Sequence, residues 1–139
     1  MLDAVTQLLD YAATNPDAKI TYKVSNMVLY IHLDASYLTA LEAKSRAGGY
    51  FYLGWKPGKD GVPTPNHIVN APINILCSVL KNLMASAAEA EVGALYENTH
   101  LGVPWHQTLI KLGHPQPPMP VQTDNTTACD IIPDTIKQK

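Results

Sequence analysis

The stretch from Leu29 to Tyr37 constrains the fold of this chain most strongly, because its apolar side chains recur as they do in a buried β-strand. An extended chain places successive side chains on opposite faces. One face then carries Leu29, Ile31, Leu33 and Ala35, and the other carries Val28, Tyr30, His32 and Asp34. Because both faces are partly apolar, we expect a central strand that is covered on both sides. Asp34 is then a carboxylate near the end of that strand, where a loop is predicted to begin.

The rest of the chain predicts an α/β domain around that strand. Hydrophobic periodicity and turn residues predict further strands at 46–53, 72–80 and 121–124, with a short extended piece at 20–22. The same signals predict helices at 2–14, 86–99, 104–112 and 125–132, with a break at Gly102-Val103-Pro104. Three consecutive strands favour an antiparallel meander, and a fourth strand that follows helices can join it in parallel. We therefore predict a mixed sheet, three antiparallel strands plus a parallel fourth, with helices packed on it.

Charge and cysteine content narrow the functional classes. The formal net charge of the 139 residues is -2, which argues against a domain that holds nucleic acid by a general positive field but not against a nuclease with local basic groups. Cys77 and Cys129 fit neither a disulfide framework nor a zinc pattern, and their apolar surroundings predict buried free thiols in a reducing compartment. We find no signal peptide and no apolar stretch approaching about 18 residues, so we expect an intracellular protein with no membrane partner.

Two glutamates near the start of the long helix have different predicted roles. Ser86 and Glu89 have the spacing of a capping box, which gives Glu89 a structural task. At about 100° per residue, Glu91 falls between Ala88 and Leu95 on the apolar stripe that faces the core. A lone ionised carboxylate there is costly without a cation or a hydrogen-bond donor. Glu91 is therefore the acid predicted to point at the sheet, and the alternative is a partly exposed helix charge.

Asp34 and Asp124 are the other two members of a candidate metal site. Asp124 ends a predicted strand and begins a predicted helix, so the alternative is a helix N-cap. For Asp34 the alternative is a turn acid that bonds Ser36 or its amide. Where carboxylates converge, like charges raise each other's pKa, and a hard divalent cation resolves the conflict. Oxygen-only ligands favour Mg²⁺ or Mn²⁺ over zinc, and two such ions can serve the hydrolysis of a phosphodiester.

Polar groups beside these acids are candidate substrate contacts. Ser36, Ser86 and Asn125 border the three acids and can hydrogen-bond a sugar or a phosphate. Arg46 flanks the first predicted hairpin and can contact phosphates, and a solvated hairpin is the alternative. His32 shares a strand face with Asp34, and it is interpreted as a core or rim histidine rather than a ligand.

Four motifs together resemble the ribonuclease H domain of copia-type LTR retrotransposon polyproteins. They are Leu33–Tyr37, Ser45–Tyr50, Ala87–Glu91 with Ala94 and Leu95, and Thr123–Ala128. They occur in the order of that family and span roughly residues 27–136. The resemblance implies an RNase H-like fold that hydrolyses the RNA strand of an RNA–DNA hybrid with two Mg²⁺ ions. It also implies that residues 1–25 connect a reverse transcriptase domain of the same polyprotein to an RNase H-like domain at 26–139.

The resemblance gives each acid a role. Asp34 matches the first-strand aspartate that bridges the metals, Glu91 the helix glutamate, and Asp124 the fourth-strand aspartate. The family carries a fourth acid on a further helix, and this sequence reaches Lys139 without one. We therefore expect a domain that lacks its C-terminal helix, with weak metal binding and low or absent turnover, in the cytoplasm, a virus-like particle or the nucleus. The alternatives are a non-catalytic remnant that binds nucleic acid or protein, and a protein-interaction domain whose acids are caps and surface charges.

Overall fold

The computed structural model describes residues 2–56 and 69–124 of the chain. The described elements, in chain order, are α1 (Leu2–Thr14), β1 (Val28–Ala40), β2 (Lys44–Gly54), β3 (Pro72–Val79), α2 (Ala87–Lys111) and β4 (Val121–Gln122). A short 3-10 turn at Leu41–Ala43 joins β1 to β2. The predicted helix at 125–132, Cys129 and most of the turn-rich stretch after Trp55 lie outside the described residues.

The strands form one mixed sheet in the order β3-β2-β1-β4. Strands β1 and β2 are antiparallel, and so are β2 and β3, whereas β4 runs parallel to β1. The prediction of an α/β chain with a mixed sheet is confirmed, and β1 is a central strand with a neighbour on each side. Residues 20–22, predicted as a short extended piece, belong to no strand of the described sheet.

Strand β1 is longer than the sequence predicted. It continues past Asp34 to Ala40, because its antiparallel pairing with β2 persists through Ser36 opposite Arg46 and resumes at Ala40 opposite Lys44. The prediction that a loop begins at Asp34 is therefore wrong. An irregularity separates the two paired stretches, and Leu38 adopts a positive φ of 55° there. Asp34 lies inside the strand, opposite Gly48 of β2.

Helix α2 packs on the face of β1 that carries its odd-numbered residues. Large apolar side chains fill one part of this core, namely Leu29, Ile31, Phe51 and Leu109. Smaller ones fill most of the other part, namely Leu33, Ala47, Leu80, Ala90 and Ala94. On the opposite face of the sheet, Tyr30 stacks on Tyr52 with ring centroids 5.3 Å apart, and both are fully buried. Burial on both faces is what the apolar pattern of β1 predicted.

Helix α2 is one continuous helix, so the predicted break at Gly102-Val103-Pro104 is wrong. Pro104 lies inside the helix and removes one backbone hydrogen bond there. Gly102 lets the helix approach the sheet, since a Cβ at this position would lie 2.6 Å from Cδ1 of Ile31 and 2.9 Å from Sδ of Met119. Tertiary packing against the sheet therefore outweighs the low helix propensity of these residues.

Strand β3 is the edge of the sheet and exposes one of its faces. Ile75 is 64% exposed and Cys77 is also exposed, whereas Leu76 between them packs into the core. The prediction of a buried Cys77 is wrong, because alternation along the strand turns Cys77 away from the face that α2 covers. Cys129 cannot be compared, since it lies outside the described residues.

The N-terminal helix α1 has the predicted bounds, and its described side chains are exposed to solvent. The segment that follows contacts the rest of the fold near the start of β3. The hydroxyl of Tyr22 donates to the carbonyl of Pro72 at 3.0 Å, and the backbone N–H of Lys23 donates to Oδ1 of Asn70 at 2.8 Å. No helix in residues 2–56 and 69–124 combines the length and the hydropathy needed to cross a membrane.

Candidate metal centre

The three predicted acids come together. Asp34 belongs to β1, Glu91 to the second turn of α2, and Asp124 follows the last residue of β4 by two positions. Each offers one carboxylate oxygen, and these three oxygens all lie within 4.8 Å of one another. Three elements that are distant in sequence thus deliver oxygen ligands to one point, at a spacing that a divalent cation can bridge.

The pairing of β1 with β4 explains why Asp34 and Asp124 meet. The two strands are parallel, with His32 opposite Gln122. Asp34 and Asp124 each lie two residues further along in the same direction, so the register brings them to the same level of the sheet. The alternation of side chains within each strand does not determine that the two aspartates lie at the same level. That level depends on the register in which β4 pairs with β1.

The early end of β4 creates room for the site. The backbone N–H of Ile31 donates to the carbonyl of Pro120 at 3.1 Å, so the N–H groups of odd-numbered residues in β1 point toward β4. Strand β4 ends at Gln122, and the N–H of Ala35 donates to Oδ1 of Asp34 at 2.8 Å. The carboxylate of Asp34 thus turns to the β4 side of the sheet, where Asp124 and Glu91 arrive.

The start of helix α2 fixes the direction of Glu91. Ser86 is the N-cap, and its side-chain oxygen accepts a hydrogen bond from the N–H of Glu89 at 3.1 Å. The carboxylate of Glu89 accepts from the N–H of Ala85 at 2.6 Å, not from that of Ser86 as the capping box predicted. Glu89 is exposed, whereas Glu91 is only 6% exposed and neighbours the buried Ala90. The predicted facing of the two glutamates is confirmed, and the alternative of an exposed helix charge at Glu91 is wrong.

Burial raises the pKa of Glu91 above its ordinary value. Two hydrogen bonds lower this pKa: one comes from Oγ1 of Thr123, 3.3 Å from Oε2 of Glu91, and the other from the backbone N–H of Ala35. The nearby carboxylates of Asp34 and Asp124 raise the pKa of Glu91 again. The net effect holds the pKa of Glu91 above its ordinary value, and a bound cation would favour the ionised form of this carboxylate.

The structure tests the alternative role of Asp34 but not that of Asp124. The alternative for Asp34 was a turn acid that bonds Ser36 or its amide. Asp34 instead accepts from the N–H of Ala35, within a strand and beside two other acids. The N-cap alternative for Asp124 depends on residues after Asp124, which lie outside the described part of the chain. Both aspartates are exposed, so the centre has a buried side at Glu91 and an open side.

The predicted substrate contacts are partly assembled around Asp34. Ser36 and Arg46 are opposite each other in the β1–β2 pair, two residues beyond Asp34. Arg46 is exposed, and the hydroxyl of Ser36 lies 2.6 Å from that of Thr39. Ser86 is exposed but serves as the helix N-cap. Asn125 lies outside the described residues.

His32 does not join the acids. Its Nε2 lies 3.0 Å from the hydroxyl of Tyr52, and the two rings meet edge to face with centroids 5.1 Å apart. The interpretation as a packed histidine is confirmed. Two residues that support the site were missed: Thr123, which bonds Glu91, and Asn98, which ties helix α2 to β2. The position of Thr123 beside Asp124 was the only sequence signal for the first, and a polar residue on the buried helix stripe was the signal for the second.

Comparisons with known protein families, with curated proteins and with solved structures found no match for this chain.

Proposed function

We propose that this chain is an RNase H-like nuclease domain that hydrolyses the RNA strand of an RNA–DNA hybrid with divalent metal ions. The observation that carries the proposal is the convergence of Asp34, Glu91 and Asp124 from β1, α2 and the end of β4. The sheet order, with β4 parallel to the first strand of an antiparallel meander, and the resemblance of the four sequence motifs agree with it.

The donor set fits Mg²⁺ or Mn²⁺. All three groups offer carboxylate oxygens, and the buried carboxylate of Glu91 lies beside two others. A hard cation would neutralise the negative charge of this cluster. Asp34, Glu91 and Asp124 would hold the metal. Bound Mg²⁺ ions activate a water and stabilise the leaving oxygen of a phosphodiester. The hydrogen bonds from Thr123 and from the backbone N–H of Ala35 favour the ionised form of Glu91 and partly offset the rise in its pKa caused by burial.

Substrate binding would depend on local groups, because the chain as a whole has a formal net charge of -2. Arg46 and Ser36 lie on the strand pair that carries Asp34, and they are the nearest proposed contacts for a phosphate or a sugar. Ser86 and Asn125 are weaker members of this proposed set. The proposed setting is reverse transcription within the cell, with the reverse transcriptase domain of the same polyprotein as partner.

One cleavage experiment tests the proposal. The chain is incubated with an RNA–DNA hybrid labelled on its RNA strand, with Mg²⁺ or Mn²⁺, beside Asp34→Asn and Glu91→Gln. Glu89→Gln is the matched control, because Glu89 lies on the same helix two residues away and is exposed. We expect slow cleavage by the parent and by Glu89→Gln, in keeping with the low turnover that the resemblance implies, and a further loss of at least about a hundredfold in the other two, since each metal ligand acts in the transition state. Cleavage that persists in both site variants would contradict the proposal.

The second candidate is a non-catalytic remnant that binds a hybrid or a protein through the same fold. The openness of Asp34 and Asp124 to solvent is the observation in its favour, since it leaves the acids accessible to ligands without requiring turnover. Binding of the hybrid by a chain that shows no cleavage with either metal would favour this candidate.

A further inference from the structure

Asn98 is a fully buried polar residue in the middle of helix α2. Its side-chain nitrogen donates to the carbonyl of Ala94 on the same helix at 2.8 Å and to the carbonyl of Gly48 on β2 at 3.0 Å. Its side-chain oxygen is buried and has no hydrogen-bond partner among the described residues. A buried acceptor without a partner is unfavourable, so Asn98 is not explained by packing alone.

The strand β2 accommodates Asn98 by means of a glycine. A Cβ at Gly49 would lie 1.7 Å from Oδ1 of Asn98 and 2.8 Å from its Cγ. No other residue at position 49 leaves room for the amide in this place. At the Gly48-Gly49 pair the backbone of β2 therefore approaches α2 closely.

The two contacts of α2 with the metal end of the sheet involve the same strand pair. Gly48, which accepts from Asn98, is opposite Asp34 in the β1–β2 register. Glu91 precedes Asn98 by seven residues, which is about two helical turns, so both side chains lie on one face of α2. Asn98 reaches the carbonyl of Gly48, and the carboxylate of Glu91 accepts from the backbone N–H of Ala35 beside Asp34, so together the two hydrogen bonds tie the helix to a single level of the sheet.

The apolar contacts near Glu91 are poorly suited to fix that position on their own. The fully buried residues that the helix contributes there are Ala90 and Ala94. They share a cluster with Leu33, Ala47 and Leu80, and larger, partly buried side chains such as Met84 and Leu95 pack against it. Small side chains interlock weakly, so they allow a helix to slide or turn on a sheet more readily than large ones do. A directional hydrogen bond to a strand carbonyl removes that freedom.

We propose that Asn98 is a positioning residue. Its hydrogen bond to the Gly48 carbonyl sets the position of α2 along its own axis and its rotation about that axis, so that the carboxylate of Glu91 meets those of Asp34 and Asp124. The inference rests on the proposed metal centre for its functional meaning. The geometric part, that Asn98 sets the spacing between positions 34 and 91, is tested without any metal.

The first test measures Mn²⁺ affinity by calorimetric titration at a temperature where melting curves show every variant folded. Asn98→Ala is compared with Asn70→Ala, because Asn70 is also a buried asparagine and also joins separate segments through its side chain, but does so near the start of β3. We expect Asn98→Ala to weaken Mn²⁺ binding about tenfold, as loss of a group that orients a ligand does, and Asn70→Ala to change it less than about twofold. Equal affinities in the two variants would overturn the inference.

The second test is independent of metal. Cysteines replace the acids as Asp34→Cys and Glu91→Cys in a chain with Cys77→Ser and Cys129→Ser, and a short bis-alkylating bimane reports bridging of the two thiols by its fluorescence. We expect Asn98→Ala to slow bridging several-fold and Asn70→Ala to leave it unchanged. Equal bridging in all backgrounds would overturn the positioning role, whereas a parent chain that binds no Mn²⁺ would overturn the proposed function and leave bridging to decide the role of Asn98.

Gly49→Ala provides a rescue test of the contact itself. Alone, the new Cβ displaces the Asn98 side chain, so we expect bridging and Mn²⁺ affinity to fall as they do in Asn98→Ala. In the Asn98→Ala background the displaced atoms are absent, so adding Gly49→Ala should cause little further loss. Losses that simply add would contradict the contact.

Discussion

Strand β1 packs against large side chains at its beginning and against small or acidic ones further along. Leu29 and Ile31 are fully buried with Phe51 and Leu109. At Leu33, four residues after Leu29, three of the four other buried members of the cluster are alanines, and Asp34 turns to the open side of the sheet beside Glu91. The comparison teaches that one strand can supply stability at one end and a reactive centre at the other. In the proposed metal centre, the acidic end would rely on directional contacts and a cation, whereas the apolar end relies on close packing.

The largest expected effect is at the apolar end. Phe51 is fully buried in the cluster with Leu29 and Ile31, so Phe51→Ala leaves a cavity and should lower the free energy of unfolding by about 3–5 kcal/mol. Asp34→Ala, at the acidic end of β1, should change it by less than about 1 kcal/mol in metal-free buffer. Urea denaturation of both variants measures the difference, and similar losses would break the comparison.

The second prediction concerns the close approach of α2 to β1. Gly102→Ala places a Cβ against Ile31 and Met119, so we expect a loss of about 1–3 kcal/mol in the free energy of unfolding. Gly113→Ala is the control, because Gly113 has a positive φ of 88° and nothing near its Cβ position, so only backbone strain of about 1 kcal/mol is expected. A smaller loss for Gly102→Ala than for Gly113→Ala would contradict the packing described for the helix.

The third prediction has the opposite sign and applies to the acidic end. Without divalent ions, Glu91→Gln should raise the free energy of unfolding at neutral pH by about 1 kcal/mol, because it removes a buried charge beside two other carboxylates. Addition of Mg²⁺ should stabilise the parent more than the variant. Thermal melting with and without Mg²⁺ measures both effects, and a variant that gains as much from Mg²⁺ as the parent would refute this prediction.

The smallest effect is the pH dependence of that difference. The pKa of Glu91 is raised in the folded state, so its folded carboxyl binds a proton more tightly than the unfolded one does. The parent therefore loses stability, relative to Glu91→Gln, as the pH rises through the raised pKa, and the two should converge at acid pH. Denaturation curves at several pH values in metal-free buffer test this. A difference that shrinks with rising pH would have the wrong sign.

The sequence was informative wherever one element sufficed for the argument. Alternation placed β1 between two covered faces, and helical periodicity separated Glu91 from Glu89. The sequence was uninformative where a second element decided the outcome. The length of β1 depends on its partner β2, and the continuity of α2 depends on Gly102 packing against Ile31. The sequence did not indicate the proposed role of Asn98 for the same reason. Its buried, unpartnered oxygen lies where Gly49 of β2 comes close to α2.

The convergence of the three acids could be predicted from the sequence only in part. Each of Asp34, Glu91 and Asp124 had a local alternative in the sequence, and only the parallel register of β4 with β1 brings the two aspartates to one level. The family resemblance implied that the three acids share one site, but it did not indicate that Thr123 bonds Glu91 or that Ala35 lies within the site.

The central claim is that the three carboxylates form one site for a divalent cation. Calorimetric titration with Mn²⁺ of the parent, of Asp34→Asn, Glu91→Gln and Asp124→Asn, and of the exposed control Glu89→Gln tests it most directly. The account predicts that the parent and Glu89→Gln bind with similar affinity and that each site variant binds at least about tenfold more weakly. Affinities that are the same in all five proteins, or no binding by the parent, would contradict it.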